Sequence, residues 1–330
     1  MTDTSLPMQK TANSRYNRGS RIFDVLSRAG LLIAILAVFI YGAISSNVFF
    51  TTGNLVNVLT SMAIIGIVVV GMTFVLVVGS LADLSVPATI AGGAILSLAL
   101  QPVVGPVPAF ALAVGFAGAC GLVNGLLVGY VGINPIIATL GVGTVVLGIV
   151  QAAVGGVIVY GNDPAVAALV KGRVLGVPVI VLVFVVVAII GHFVLSRSFW
   201  GRWTMATGGN YKAAEASAVP VRAVKAGAFV ISGLCAGLSG GLLGLTLQSA
   251  RPEVGAGYEF ASITAVVVGG ISILGGLGSI PRAIAGLVFV QTLTNVMVLQ
   301  GVRTPIQGFV LGLLIAVAVA LDVALRKRGV

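Results

Sequence analysis

The stretch VLVVGSLADLSVPATIAGG, residues 75–93, begins as an apolar helix, passes through glycine, polar residues and proline, and becomes apolar again. A second stretch, AVVVGGISILGGLGSIPRAIAG at 265–286, follows the same order. Interrupted helices are tolerated at membrane depth only where they are buried in protein or line a cavity. At matching positions of two halves of a transporter they point to the substrate path. The pair predicts two broken helices of this kind, with a chance likeness between glycine-rich segments as the alternative.

The composition around these stretches is that of a membrane protein. The chain has 330 residues, of which 58% are hydrophobic and 8% charged, whereas soluble domains carry about 25% charged residues. A transmembrane barrel would show short alternating segments instead. Because a helix needs about 20 apolar residues to cross the hydrocarbon core, the sequence predicts an all-α integral membrane protein with ten spans. They lie at 29–46, 54–79, 84–101, 106–130, 133–158, 175–196, 222–247, 258–279, 283–300 and 304–325.

The distribution of basic residues predicts the orientation of these spans. Four of the 18 Lys and Arg residues fall in predicted outer loops and the other 14 in inner segments, as the positive-inside rule requires. Both termini are then cytoplasmic, and the net charge of +10 needs no nucleic acid to explain it. We expect a cytoplasmic arm at 1–28, a single transmembrane domain at 29–325 and a basic tail at 326–330. The apolar run at 31–44 is interpreted as a retained first helix rather than a cleaved signal.

Few residues are suited to chemistry. The single histidine, His192, ends an apolar run, and Cys120 and Cys235 have neither metal-ligand nor redox spacing, so all three are interpreted as structural. A membrane enzyme would need a nucleophile with a base, or a metal cluster. An ion-coupled carrier would need buried ionisable relays. A phosphate-binding loop ends in Gly-Lys-Ser/Thr, and the dipeptide Gly-Lys does not occur. Energy from ATP would therefore have to come from another subunit.

The polar residues at helical depth are the candidates for a translocation path. Asp83 is the only acid within an interrupted helix, where a carboxylate is costly and a functional hypothesis by default. The alternative is that Asp83 or Ser85 caps the start of the third span. Interhelical hydrogen bonds could likewise explain each of the others. The candidate path residues are Asn57, Asp83, Ser85, Asn124, Asn134, Gln291 and Asn295.

One inner loop, at about 197–222, contains the polar stretch GRWTMATGGNYKAAEASAVPV (201–221). Gly208 and Gly209 predict a sharp turn, Asn210 an N-cap, and YKAAEASA (211–218) a helix of about two turns that Pro220 ends. A small-residue face, made of Ala213, Ala214 and Ala218, would fit a groove on a partner protein. The alternative is a helix on the lipid surface, which the lack of large apolar residues disfavours.

Several motifs together resemble one family of membrane proteins. They are DLSV (83–86), GLVNGLLVGYVGI (121–133), NPIIATLG (134–141), the 201–221 stretch and ITAVVVGGISILGGLGS (263–279). The chain resembles the membrane permease of ABC importers for sugars, the ribose, arabinose, xylose and autoinducer-2 type. The chain departs from the family pattern at two places that bear on the substrate. Residues 80–87 read SLADLSVP where the family usually has GGIDLSVG, and Pro281 and Arg282 replace small or uncharged residues.

The resemblance implies a permease that moves a neutral monosaccharide by alternating access. It also implies a dimer with a second copy or a paralogue, a cytoplasmic ATPase that uses ATP and Mg, and a periplasmic or lipoprotein sugar-binding protein. This chain would bind no cofactor of its own. The coupling helix that docks the ATPase would be formed by Gly209, Asn210, Ala213, Ala214 and Glu215. Two alternatives remain: an ABC permease for branched-chain amino acids or nucleosides, and an ATP-independent secondary carrier.

Overall fold

The computed structural model describes residues 30–161 and 163–327. The predicted cytoplasmic arm at 1–28 and the last residues of the basic tail lie outside these ranges. The helices are α1 Gly30–Ser45, α2 Thr52–Val77, α3 Val86–Ala99, α4 Gln101–Val104, α5 Pro106–Leu126 with a π-helical extension Leu127–Val131, α6 Pro135–Val154, α7 Pro164–Lys171, α8 Val179–Arg197, α9 Phe199–Gly209, α10 Tyr211–Ala216, α11 Val221–Leu247, α12 Tyr258–Val268, α13 Ile280–Leu299 and α14 Thr304–Lys327.

Short strands form two antiparallel pairs between helices. β1 (Val159–Tyr160) pairs with β4 (Ser249–Ala250). β2 (Arg173–Val174) pairs with β3 (Val177–Pro178). The first pair joins the segment after α6 to the segment after α11, so the ends of these two helices lie on the same side of the bundle.

The predicted all-α membrane class is confirmed. Among the described residues, six helices are long and apolar enough to cross a membrane, and apolar helical segments of 10–17 residues, the last of them the Thr304–Ala320 part of α14, stand at the other four predicted spans. The span predicted at 258–279 is interrupted, as expected for the second broken helix, because α12 ends at Val268 after 11 residues. At 1.5 Å per residue such a helix reaches about 16 Å, roughly half of the hydrocarbon thickness.

The long helix α11 lies at the centre of the bundle, packed against α2, α3 and α5. On α5, Gly121, Gly125 and Gly129 recur every fourth residue and face α11. A Cβ on Gly125 would lie 2.6 Å from the carbonyl oxygen of Ala226, a distance too short for a Cβ atom. Backbone contact between these two helices therefore depends on the glycines. Cys120 and Cys235 are both free thiols, buried in this region.

The two interrupted helices end in the same way. Ser80 N donates to Val75 O at 3.1 Å, and Ile271 N donates to Val266 O at 3.2 Å. This six-residue closure is the Schellman motif, which ends a helix on a residue in the left-handed conformation. That residue is Gly79 (φ 80°) in the first case and Gly270 (φ 78°) in the second.

The helices that follow the two breaks also begin alike. α3 and α13 each carry a proline in the first turn, Pro87 and Pro281, where a missing N–H costs no helical hydrogen bond. The first break covers residues 78–85 and the second 269–279. The predicted likeness of the two stretches is thus a shared helix–break–helix geometry.

Candidate functional site

The first break buries an aspartate at the start of α3. Asp83 is 1% exposed. Its Oδ1 atom accepts from Ser85 N at 3.0 Å and from Ser85 Oγ at 2.6 Å. The carboxylate thus satisfies a backbone amide immediately before α3, while Ser85, the N-cap residue of α3, makes no side-chain capping bond itself. This is the geometry of an Asx turn.

The carboxylate also ties the break to two further helices. Ser232 Oγ on α11 donates to Asp83 Oδ2 at 2.7 Å, and Asn124 Nδ2 on α5 donates to Ser85 Oγ at 2.8 Å. Each of these four residues, named here the Asp83 cluster, is at most 2% exposed. A buried carboxylate requires such donors, because burying it without them is strongly unfavourable. The predicted path residues Asp83, Ser85 and Asn124 are therefore in contact with one another inside a helix junction.

A fourth helix, α6, reaches the same break. Leu84 N donates to Thr139 Oγ1 at 3.1 Å, and the Thr139 hydroxyl donates in turn to Pro135 O at 2.8 Å. In the cluster itself, Asn124 Oδ1 is buried and has no hydrogen-bond partner among the described residues. An unpaired buried acceptor is costly, so this amide is the least satisfied group of the Asp83 cluster.

A second polar group lies between the start of α2 and the end of α13. Asn54 Nδ2 donates to Asn295 Oδ1 at 3.1 Å, and Asn295 Nδ2 donates to Asn54 Oδ1 at 2.8 Å. Gln291 precedes Asn295 by one helical turn and is 6% exposed, whereas Asn57, one turn after Asn54, is exposed. The structure thus brings Gln291 and Asn295 onto one helix face, with Asn54 as the direct partner of Asn295.

Asn134 has a local role. It is the N-cap of α6, where its Oδ1 atom accepts from Ile136 N at 2.9 Å. Pro135 follows as the first helical residue, and Asn134 itself is exposed. The predicted path residues therefore divide into the Asp83 cluster, the α2–α13 group and this isolated cap.

The predicted short helix in the inner loop is present as α10. Asn210 caps it, since its Oδ1 atom accepts from Ala213 N at 3.0 Å. The helix is two residues shorter than predicted and ends at Ala216. Pro220 does not end it; Ala218, with φ 59°, has already left the helical conformation.

The small-residue face predicted for this helix differs at two positions: Ala218 lies outside α10, and Ala214 is buried. Ala214 is 4% exposed and packs inside the chain, so it cannot contact a partner. Ala213 and Glu215, on either side of it, are exposed. The ring of Tyr211 lies 5.0 Å from the Lys225 ammonium on α11, which holds α10 against the bundle.

The sharp turn predicted at Gly208 and Gly209 is also wrong. Both residues belong to α9, which runs to Gly209. The chain turns instead at Asn210, whose backbone is extended with φ −156° and ψ 100°. What Gly208 permits is close contact, because a Cβ there would collide with the carbonyl oxygen of Val77.

Sequence reasoning missed three residues of these groups: Ser232, Thr139 and Asn54. Serine and threonine in apolar helices commonly bond to their own backbone, as Ser97 Oγ does with Ala94 O, so a hydroxyl alone carried no signal. Asn54 stands three residues before Asn57, and its polarity alone would have placed it in the set.

Comparison with known proteins agrees with this architecture. The model of a family described as "Branched-chain amino acid transport system / permease component" matches residues 54–319. The ribose import permease RbsC of Bacillus subtilis is 35% identical over 311 residues, which cover 93% of this chain and 95% of that protein. The D-allose permease AlsC of Escherichia coli is 33% identical over 298 residues, 89% of this chain and 91% of that protein.

A third relative extends the same set. The L-arabinose ABC transporter permease AraH of Azospirillum brasilense is 30% identical over 308 residues, 93% of this chain and 91% of that protein. No solved structure matches the chain. The family model covers most of the described helices, from the first turn of α2 into α14. The chain belongs to this family of transport-system permease components, and is a permease of the ABC importer class rather than an enzyme.

Proposed function

We propose that this chain is the transmembrane permease subunit of an ATP-driven importer, and that it carries a monosaccharide across the bacterial inner membrane by alternating access. ATP and Mg would be used by a separate ATPase subunit. The observation that carries the proposal is α10: a short, capped helix whose Ala213 and Glu215 side chains are exposed. A helix of six residues is not stable alone, and the Asn210 cap and the buried Ala214 hold it to the chain, with Ala213 and Glu215 presented to a partner.

The surface of α9 and α10 has the character of a protein contact. Arg202 stacks on the Phe199 ring at 4.3 Å, and Phe199 and Trp203 are exposed to 73% and 38%. Aromatic residues and arginine are enriched where proteins bind one another. On the side that faces the helix bundle, the Trp200 ring lies 5.6 Å from the Phe74 ring on α2. The segment is thus anchored to the bundle on one side and open on the other.

The arrangement of basic residues supports a cytoplasmic position for this surface. Arg197 ends α8, Arg222 and Lys225 begin α11, and Lys212 lies on α10. They therefore gather at the end of the bundle that carries α9 and α10. Lys171 and Arg173 lie at the far end of α8, next to the β2–β3 pair. By the positive-inside rule this supports a cytoplasmic position for both chain termini.

A neutral, hydroxyl-rich solute fits the polar groups of the helices. The α2–α13 group offers only amides, at Asn54, Asn57, Gln291 and Asn295, which can both donate and accept hydrogen bonds. The one carboxylate at the breaks, Asp83, is already held by Ser85 and Ser232. The three relatives described above are named for the transport of ribose, allose and arabinose. We therefore place the path along the α2–α13 group and propose a monosaccharide as the solute.

The remaining partners follow from the importer class. A second permease copy or paralogue would complete the path, and a periplasmic or lipoprotein binding protein would deliver the solute. A branched-chain amino acid is the alternative solute, since the family description names it. Binding by the cognate binding protein separates the two, because it must retain a sugar if the proposal is right.

The proposal is tested by tagging this chain in its native host, extracting it in mild detergent and identifying what copurifies. We expect an ATPase with a Gly-Lys-Ser/Thr loop at one or two copies per pair of permeases. A chain that purifies alone and transports solute in vesicles without ATP would identify a secondary carrier and refute the proposal.

A further inference from the structure

Three segments that are distant in sequence meet at the end of α9. A Cβ on Gly208 would collide with Val77 O at the end of α2 and would lie 2.5 Å from Gly276 N in the second break. A Cβ on Gly275 would lie 2.6 Å from Gly79 Cα and 3.0 Å from Gly208 Cα. Backbone therefore contacts backbone at each of these points, without an intervening side chain.

The second break is also bonded to the last residue of α2, directly before the first break. Gly276 N donates to Val77 O at 2.9 Å. Gly208 lies against both atoms of that hydrogen bond. A displacement of the end of α9 must consequently move the donor, the acceptor or both. Tightly packed interiors transmit such displacements because they have no free volume to absorb them.

Two buried hydroxyls beside the junction are unsatisfied in this conformation. Ser80 follows Gly79 and is 1% exposed, and Thr207 precedes Gly208 and is 3% exposed. Neither Ser80 Oγ nor Thr207 Oγ1 has a hydrogen-bond partner among the described residues. Groups of this kind are normally paired. Their unpaired state here favours a second arrangement of the junction in which they gain partners.

The first break continues directly into the Asp83 cluster. Asp83 follows Gly79 by four residues, and its carboxylate joins the start of α3 to Ser232 on α11. Movement of residues 78–80 would therefore displace Asp83 and change how α3 packs against α11. The second break leads in the same way into α13, which carries Gln291 and Asn295. The Asp83 cluster and the α2–α13 group are thus both connected to the end of α9.

We propose that Gly208 is a positioning residue through which movement of residues 199–216 is passed to both breaks at once. This rests on the proposed function, in which that surface docks an ATPase. The contact works because the residue has no side chain: a backbone contact with two hydrogen-bonded atoms leaves no rotamer to absorb the motion. A residue that only filled space would affect assembly and stability, and not the response of the breaks to nucleotide.

The test is hydrogen exchange, followed by mass spectrometry, on the complete complex of permease, ATPase and binding protein. Exchange is compared between the nucleotide-free complex and the complex trapped with ATP and vanadate. We expect nucleotide to change exchange in peptides that cover 199–216, 78–85 and 269–279. In Gly208→Ala the change at 199–216 should persist while the changes at both breaks are lost.

Transport gives the second measurement. Gly208→Ala should hydrolyse ATP while solute uptake per ATP falls at least tenfold. Gly148→Ala on α6, where a Cβ would meet no atom within 4 Å, is the matched control and should behave as the wild type. The inference would be overturned if nucleotide changed hydrogen exchange at both breaks of Gly208→Ala as much as in the wild type. Unchanged solute uptake per ATP in this variant would overturn it as well.

The wild-type complex decides the matter even if Gly208→Ala does not assemble. A nucleotide response at 199–216 without one at either break contradicts the role of Gly208 and leaves the docking proposal intact. No response at 199–216 contradicts docking itself, and the inference falls with it. A response in all three segments supports both.

Discussion

Ser232 on α11 donates a hydrogen bond of 2.7 Å to the Oδ2 atom of Asp83 in the first break, although 149 residues separate them in sequence. The bond fixes the start of α3 to the central helix. Both residues are at most 2% exposed, so water cannot replace the serine hydroxyl if it is removed. The contact is therefore the most direct point at which the Asp83 cluster can be tested.

Replacing Ser232 with alanine should destabilise the permease. The Asp83 carboxylate loses one of its donors, and hydrogen bonds to charged groups contribute about 1.5–3 kcal/mol. We expect a loss of this size in the free energy of unfolding, read as a lower melting temperature in detergent. Ser97→Ala is the control, because Ser97 is equally buried but bonds only to Ala94 O of its own helix. Equal losses in the two variants would show that the Asp83 contact contributes nothing specific.

The amide pair between α2 and α13 should show energetic coupling. Asn54 and Asn295 each donate to the other, so removing one leaves the other partly buried without its partner. In a double-mutant cycle with Asn54→Ala and Asn295→Ala, the double variant should lose about 1–2 kcal/mol less than the sum of the single losses. The unfolding free energies of the four proteins measure this. Strict additivity would mean that the pair does not form in the membrane.

Adjacent alanines on α10 should respond in opposite ways to the same substitution. Ala213→Glu places a charge on the exposed face and should leave the permease folded while greatly reducing ATPase recovery. Ala214→Glu places the charge at a buried position and should lower the stability or yield of the permease itself, since an unpaired buried charge is costly. Yield, melting temperature and copurified ATPase distinguish them. Normal ATPase recovery with Ala213→Glu would contradict docking at this face.

Two glycines of α5 form a further matched pair. A Cβ on Gly121 would collide with Phe229 O, whereas a Cβ on Gly115 would meet nothing within 4 Å. Gly115→Ala should be neutral or stabilise the helix by about 0.5–1 kcal/mol, because alanine is the better helix former. Gly121→Ala should force α5 away from α11 and cost about 1–3 kcal/mol, the range for overpacked cores. Equal melting temperatures would show that the two helices do not pack as described.

The helices were predictable from the sequence, but the exact residue at which α12 ends was not. A helix is present at all ten predicted positions, because long apolar runs indicate membrane helices from their composition alone. The break within 258–279 was indicated by Gly269 and Gly270, which follow the apolar run. The residue at which α12 ends is shown by the left-handed backbone at Gly270.

The candidate site was predictable in its residue types but not in its pairings. Asn210 was identified as a cap because capping is a local interaction within one turn. Ser232 and Thr139 were missed since their partners, Asp83 and Leu84, are 149 and 55 residues away. The role of Gly208 was misread for the same reason. A turn is local, whereas its contact with Val77 depends on the tertiary fold.

Import of a sugar driven by ATP is measured most directly as solute uptake into proteoliposomes that contain this chain with its copurified ATPase and binding protein. The solutes would be labelled ribose, allose, arabinose and leucine, each with and without ATP. We expect uptake of at least one monosaccharide that requires both ATP and the binding protein, and no uptake by the permease alone. Uptake by the permease alone without ATP, or ATP-driven uptake of leucine and of none of the sugars, would contradict it.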